Sequence, residues 1–226
     1  SMDASRKRAT VGAGVSISSL IESLVTDGFA GLEFAAGLPG TLGGAICGNA
    51  GCFGGAVGEA VVGAKLVLKD GTVLEIEDPA WFRFDYRASR VAAMGAVIAE
   101  ATIGVTAGDR SRLEEIARSH VALRREKHPA RNIHTAGSYF KNLPPETPGG
   151  QRRAAGGLLD AVGAKAMRVG GAAVFERHAN IIVNTGDATA RDVLSLAQMM
   201  RGAVFARFGV ELEPEVRFVG EIPGTV

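Results

Sequence analysis

Aromatic side chains are scarce: one Trp and two Tyr accompany ten Phe in 226 residues. The core therefore has to be closed mainly by Ala, Val, Leu and Ile, and an apolar fraction of 46% is enough for that. An excess of charge of one sign is missing too. With 25 Lys and Arg against 24 Asp and Glu, the net charge of +1 excludes a global field for nucleic acid or an anionic membrane. An anionic ligand must be held by a local cluster. The two cysteines, Cys47 and Cys52, allow one bridge at most, which excludes the framework of a small secreted domain. They have no His or Cys neighbours at ligand spacing, so no metal site is expected. No apolar run reaches the roughly 18 residues of a membrane span, and the start lacks the apolar stretch of a signal peptide. A reduced, cytoplasmic protein with no membrane partner is the expectation. Ser1 ahead of Met2 reads as a cloning remnant and is set aside.

Glycine, at 31 residues, is what the chain has in quantity. Between Gly37 and Gly58 it recurs every few residues around Pro39, Asn49 and Phe53, too densely for a regular helix or strand throughout. A backbone-shaped loop region is predicted there, with Pro39 at a helix start. Before it, Ala9 to Val15 reads as a strand, and Ser16 or Ser18 can cap a helix ending near Gly28. After it, Val61 to Leu68 and Val73 to Ile76 flank Asp70-Gly71, a hairpin signal, and Val97 to Val105 supplies another strand. Leu113, Ile116, Ala117 and His120 or Val121 then line one face of a helix that stops at Pro129. Thr189 heads a second helix, closed by Gly209. Short extended runs are expected at Ser138 to Lys141, Ala172 to Glu176, Ile181 to Val183 and Val210 to Val219. The segment from Pro144 to Arg153 reads as a mobile surface loop. Helices packed on a mixed sheet, an α+β class, is the natural arrangement.

Two short runs carry the chemistry. Gly-Ser-Tyr-Phe-Lys-Asn at 137–142 and Glu-Pro-Glu-Val-Arg at 213–217 each put a proton-handling group, Ser138 or Glu215, near a cation, Lys141 or Arg217. The glycine stretch lacks phosphate-loop spacing and reads equally as tight turns, yet its exposed backbone N–H groups could admit a pyrophosphate or a flat ring. Arg87, in Phe-Asp-Tyr-Arg-Ala-Ser at 84–89, is either half of an ordinary surface pair or a fork for a carboxylate. Arg124, Arg125 and Lys127 crowd a helix end, where the helix dipole alone explains them. His120 reads as a helix-face residue, His128 and His134 as solvated loop residues, and His178 as structural at least as readily as a ligand.

With these residues in view, the chain resembles the flavin-dependent UDP-N-acetylenolpyruvoylglucosamine reductases of peptidoglycan precursor synthesis, the MurB family. The likeness rests on ordered motifs: Val-Gly-Ala-Gly at 11–14, Gly-Leu-Pro-Gly-Thr-Leu-Gly-Gly-Ala at 37–45, Asn-Ala-Gly at 49–51, Phe-Asp-Tyr-Arg-Ala-Ser at 84–89, Ala-Gly-Ser-Tyr-Phe-Lys-Asn at 136–142, Gly-Gly-Ala at 170–172, His-Ala-Asn at 178–180, Val-Asn-Thr-Gly at 183–186 and Leu-Glu-Pro-Glu-Val-Arg at 212–217. The short stretch from Arg87 to Ser138 resembles the family's second type. The resemblance implies that NADPH reduces FAD, and that hydride then passes to C3 of UDP-N-acetylglucosamine enolpyruvate with a proton added at C2. Carried over by motif, Ser138 is the proton donor, helped by Lys141, while Arg87 and Glu215 flank the substrate carboxylate. Tyr86, Lys127, Asn142 and Lys141 match substrate-binding positions. Gly37, Pro39, Gly40, Thr41, Gly43, Gly44 and Asn49 match the flavin-binding side.

The same resemblance implies a partial FAD-binding domain of the PCMH-like kind at 3–105 and a substrate-binding domain at 106–226. The family normally begins with a further subdomain that wraps the flavin pyrophosphate, and nothing before Ala9 matches it. A trimmed fragment, a short native chain, or a separate chain supplying the missing segment are the alternatives. A non-catalytic module that binds the sugar nucleotide is the rival reading of the whole.

Overall fold

A computed structural model describes residues 2–3, 5, 7–130 and 132–220. The chain forms two compact units, Ser1–Arg124 and Arg125–Val226. The α+β class holds, and the sheet expected to be mixed shows only antiparallel pairings among the described residues.

The first unit is built on a sheet in which Met2–Asp3, β1 (Arg8–Gly12), β4 (Val97–Gly104), β2 (Val61–Val67) and β3 (Val73–Ile76) lie side by side. The β2–β3 hairpin forms where Asp70-Gly71 predicts it. Gly71 takes φ 86°, and the Asp70 carboxylate accepts the Thr72 N–H at 2.9 Å. Gly63 is required on β2, since a Cβ there would meet the Ile76 carbonyl at 2.7 Å. Helix α1 (Ile17–Thr26) is capped by Ser16 and buries Ile17, Leu20, Ile21, Leu24 and Val25, one face at helical spacing. Each such side chain contributes roughly 1.5–3 kcal/mol of burial.

The glycine-rich stretch is more ordered than a loop. It contains the short helix α2 (Leu42–Cys47), a hairpin of Gly51–Cys52 with Gly55–Ala56, and a 3-10 turn at Val57–Glu59. Pro39 does not start α2; Thr41 caps it and accepts the Gly44 N–H. Helix α3 (Arg90–Met94) follows, capped by Ser89. Helix α4 (Arg110–Lys127) seats Leu113, with Ala117 and Val121, in the core that holds Leu42, Leu66, Phe82 and Ile103. The first unit therefore continues past residue 105, because that core is not closed without α4.

In the second unit the strands run in the order β5 (Thr135–Ser138), β8 (Ile181–Asn184), β7 (Ala172–Val174) and β6 (Arg168–Val169). Helices α5 (Ala155–Ala161) and α6 (Ala190–Phe208) bury Leu159, Leu196, Met200 and Val204 in its larger core. Thr189 and Asp192 form a reciprocal capping box, and Gly209 closes α6 at φ 64°. The strand expected at Ser138 to Lys141 ends at Ser138 instead. The final strand expected over Val210 to Val219 is reduced to one bridge, Phe140 to Pro214. Pro214 sits opposite Phe140 in a non-hydrogen-bonded position, where its missing N–H costs no bond; the pairing is carried by the Lys141 N–H to the Glu213 carbonyl and the Glu215 N–H to the Tyr139 carbonyl.

Candidate functional site

In the first unit the candidate residues gather around the hairpin at Gly51–Ala56. Arg87 sits in the left-handed region at φ 53°, with its Nη2 donating to the Gly51 carbonyl at 3.2 Å and its guanidinium 5.0 Å from the Tyr86 ring centre. Ser89 anchors the same segment by donating to the Cys47 carbonyl at 2.7 Å. At the hairpin tip Phe53 adopts φ 49° and stacks on His120 with ring centres 4.1 Å apart. Phe53 and Gly54, at φ 87°, are the two central residues of the hairpin turn, and such a two-residue turn takes positive φ at both.

Arg124 approaches Phe53 as well. Its Cζ lies 5.3 Å from the ring centre, and its Nε donates to the Ala36 carbonyl at 3.2 Å. Its Nη2 is the one buried side-chain nitrogen or oxygen among the described residues without a hydrogen-bond partner. The helix-dipole reading of Arg124 is thus corrected: the side chain turns onto the hairpin. Gly37 makes the room, since a Cβ there would meet Arg124 Cδ at 3.2 Å. Cys52 lies near both guanidinium groups; burial pushes its thiol up, while the charge and hydrogen bonding of Arg124 and the charge of Arg87 oppose that. Cys47 and Cys52 are free thiols, and no cluster able to hold a metal ion occurs among the described residues.

The glycine motif divides by role. Gly37 and Gly40 take φ 77° and 105°, and nothing lies within 4 Å of a Cβ built on Gly40. A ligand can approach that backbone directly. Gly43 is set by packing, because a Cβ there would meet Ala13 Cβ at 2.8 Å. Gly44 gives its N–H to Thr41. Both side-chain groups of Asn49 brace the protein, one donating to the Asp85 carbonyl at 2.8 Å and the other accepting the Gly58 N–H at 2.9 Å.

In the second unit Ser138 and Glu215 are joined through one residue. The Glu215 N–H donates to the Tyr139 carbonyl at 2.8 Å, and the Lys141 N–H to the Glu213 carbonyl at 2.8 Å. Ser138 and Glu215 are both half-buried. The Lys141 ammonium pairs with the Glu213 carboxylate, which already neutralises the cation expected to assist Ser138. The Asn142 side chain accepts the Ala155 N–H at 3.2 Å, and its carbonyl accepts from Arg152 at 2.9 Å. Lys127 is exposed at the end of α4. His128 lies in a bend just after α4, half-buried, with its ring 5.6 Å from that of His178. His178 is held below its ordinary pKa by burial, reinforced by the charges of Lys127 and Lys165. Lys165, 13 positions before His178 and without a motif of its own, had no signal in the sequence.

Two α+β units, the first with an open glycine backbone beside half-buried arginines, define the class of the protein. Residues 1–77 match the FAD binding domain, and residues 128–219 match the UDP-N-acetylenolpyruvoylglucosamine reductase C-terminal domain. The chain is 41% identical over 213 residues to UDP-N-acetylenolpyruvoylglucosamine reductase 2 of Symbiobacterium thermophilum, covering 94% of this chain and 66% of that protein. It is 39% identical over 220 residues to UDP-N-acetylenolpyruvoylglucosamine reductase of Heliobacterium modesticaldum, covering 97% and 68%. The crystal structure of UDP-N-acetylenolpyruvylglucosamine reductase (MurB) from Thermus caldophilus matches with a TM-score of 0.78 at 30% identity, over 96% of this chain and 73% of that one. The chain belongs to the UDP-N-acetylenolpyruvoylglucosamine reductase family. It spans about two thirds of the length of these curated relatives.

Proposed function

We propose that this chain carries out the flavin-dependent reduction of UDP-N-acetylglucosamine enolpyruvate to UDP-N-acetylmuramate, the peptidoglycan precursor step, with NADPH as electron source. The observation that carries the reading is the frame in which Tyr139, next to Ser138, accepts the Glu215 N–H, in a chain of this family. The first unit fits a flavin by the chemistry of its donors. A buried guanidinium nitrogen without an acceptor is costly, and an electron-rich edge of a bound ring would satisfy Arg124 Nη2. The open backbone at Gly40 fits a ligand that approaches closely. Gly37, Pro39, Thr41, Gly43 and Gly44 would shape that backbone, with Asn49 as its brace.

When bound, FAD supplies to the enolpyruvyl C3 the hydride it accepts from NADPH. Arg87 presents a planar fork to the substrate carboxylate, into which negative charge moves as C3 gains hydride. Glu215 flanks the same carboxylate. Ser138 gives its hydroxyl proton to C2, which completes the addition across the double bond and leaves an alkoxide to be reprotonated. A serine hydroxyl serves this end only because the acceptor is carbanion-like. Tyr86, Lys127, Asn142 and Lys141 hold the sugar nucleotide, with Lys127 facing a diphosphate oxygen.

Rapid-mixing kinetics of the FAD-loaded chain test this. Ser138→Ala should slow reoxidation by the enolpyruvyl substrate about 10²–10⁴-fold, the usual weight of a general acid, while reduction by NADPH stays within about twofold. Equal loss of both half-reactions would remove Ser138 as donor. Colourless protein that takes up no FAD yet binds the UDP-sugar would favour the binding-module reading.

A further inference from the structure

We infer that Asn180 is a positioning residue for proton transfer, fixing Ser138 relative to Glu215 by standing in for a missing strand partner at Phe140. The inference rests on the roles proposed above for Ser138 and Glu215. The need arises from the strand geometry. β5 pairs with β8 from Thr135 opposite Val183 to Ser138 opposite Ile181, with a bulge between, and the ladder stops there. Beyond it the facing chain folds into its own turn: Phe175 N–H donates to the Ile181 carbonyl, His178 N–H to Phe175, and Ile181 N–H to His178. That turn uses up the backbone groups that would otherwise continue the ladder.

The Asn180 side chain replaces them. Its Oδ1 accepts the Phe140 N–H at 2.9 Å, and its Nδ2 donates to the Phe140 carbonyl at 2.8 Å. Its backbone carbonyl also accepts the Tyr139 N–H at 2.7 Å. The opposite edge of the same segment holds the terminal run through Tyr139 to Glu215 and Lys141 to Glu213. Water cannot substitute, because Asn180, Phe140 and Tyr139 are 2%, 1% and 3% exposed. Without the amide, two buried backbone groups lose their partners and residues 139–141 must shift or open. Ser138 precedes this segment and Glu215 hangs from it, so both move. His178 orients the device by accepting the Asn180 N–H at Nδ1, 3.3 Å away.

The test uses Asn180→Asp, which keeps the volume, and Asn180→Ala, both in the FAD-loaded chain. Substrate-dependent reoxidation should fall roughly 10- to 100-fold, the scale of a misplacement near 1 Å. Its solvent deuterium isotope effect should rise, as proton delivery becomes limiting, and reduction by NADPH should stay within about twofold. Amide hydrogen exchange gives a readout independent of the chemistry: Lys141 and Glu215 should exchange at least about tenfold faster, with Val174 and Ile182 unchanged. Unchanged exchange at Lys141 and Glu215 overturns the inference whatever the rates do. Faster exchange with both half-reactions intact also overturns it. If the parent chain itself shows no reoxidation by the enolpyruvyl substrate while the amides respond as expected, the proposed reaction fails and the frame set by Asn180 stands.

Discussion

At the scale of single residues, the flavin contact proposed for Arg124 rests on an energetic deficit. Its Nη2 is buried without an acceptor, and a deficit of that kind costs about 1–3 kcal/mol. Arg124→Met keeps apolar packing on Phe53 and removes the stranded donor, at the loss of the bond to the Ala36 carbonyl and of the interaction with the Cys52 thiol. The flavin-free variant should therefore melt no lower than the parent, while its FAD dissociation constant rises roughly 10-fold or more, the value of a charged hydrogen bond. Thermal melts without flavin and FAD fluorescence titration check the two halves. Unchanged FAD affinity would dissociate Arg124 from the cofactor. The sequence hid this residue because Arg-Arg followed by Lys is what a helix C-terminus prefers anyway. Gly37, folded alongside it 87 positions earlier, leaves room for the inward turn that the Ala36 carbonyl and the Phe53 ring hold.

At the scale of elements, what could be read in advance was what local chemistry dictates. Ser16 capping α1, the Asp70-Gly71 turn, and Thr189 and Gly209 bounding α6 all act within a few residues of their targets. The misjudged elements depend on distant partners. Whether residues 210–219 form a strand depends on Pro214 meeting Phe140, and the fate of Ser138 to Lys141 depends on an amide 40 positions away. The turn between β7 and β8 carries a pH prediction. His178 accepts the Asn180 N–H at Nδ1, which requires the neutral ring, and burial with nearby Lys127 and Lys165 holds its pKa below the ordinary 6.5. In the unfolded chain the ring binds its proton near that ordinary value. Stability is therefore full above about pH 6.5 and falls as pH drops toward the lower folded pKa, with a slope of at most about 1.4 kcal/mol per pH unit. Urea unfolding across that range should show the slope, and His178→Gln should flatten it. A slope that survives the substitution would assign the effect to His128 or another group.

At the scale of the molecule, each unit closes its own hydrophobic core, and that has an energetic consequence. Phe82 is fully buried in the core that joins α1, α2, β2 and β4, and Met200 is fully buried in the core beneath α5 and α6. Truncating either leaves a cavity costing about 3–5 kcal/mol for Phe82→Ala and about 2–5 kcal/mol for Met200→Ala. Residues in separate cores share no packing partners, so the two costs should add to within about 0.5 kcal/mol. They should also stay local. Hydrogen exchange of Phe82→Ala should lose protection at Leu66 and Ile103 while Val204 keeps it, and Met200→Ala should do the reverse. That independence would let a loss of stability be assigned to the unit that carries the substitution. If both variants instead lose protection throughout the chain, the two cores unfold as one cooperative block. Slowed turnover in a destabilised variant could then not be attributed to either unit, and only substitutions shown to leave global stability unchanged would report on the site.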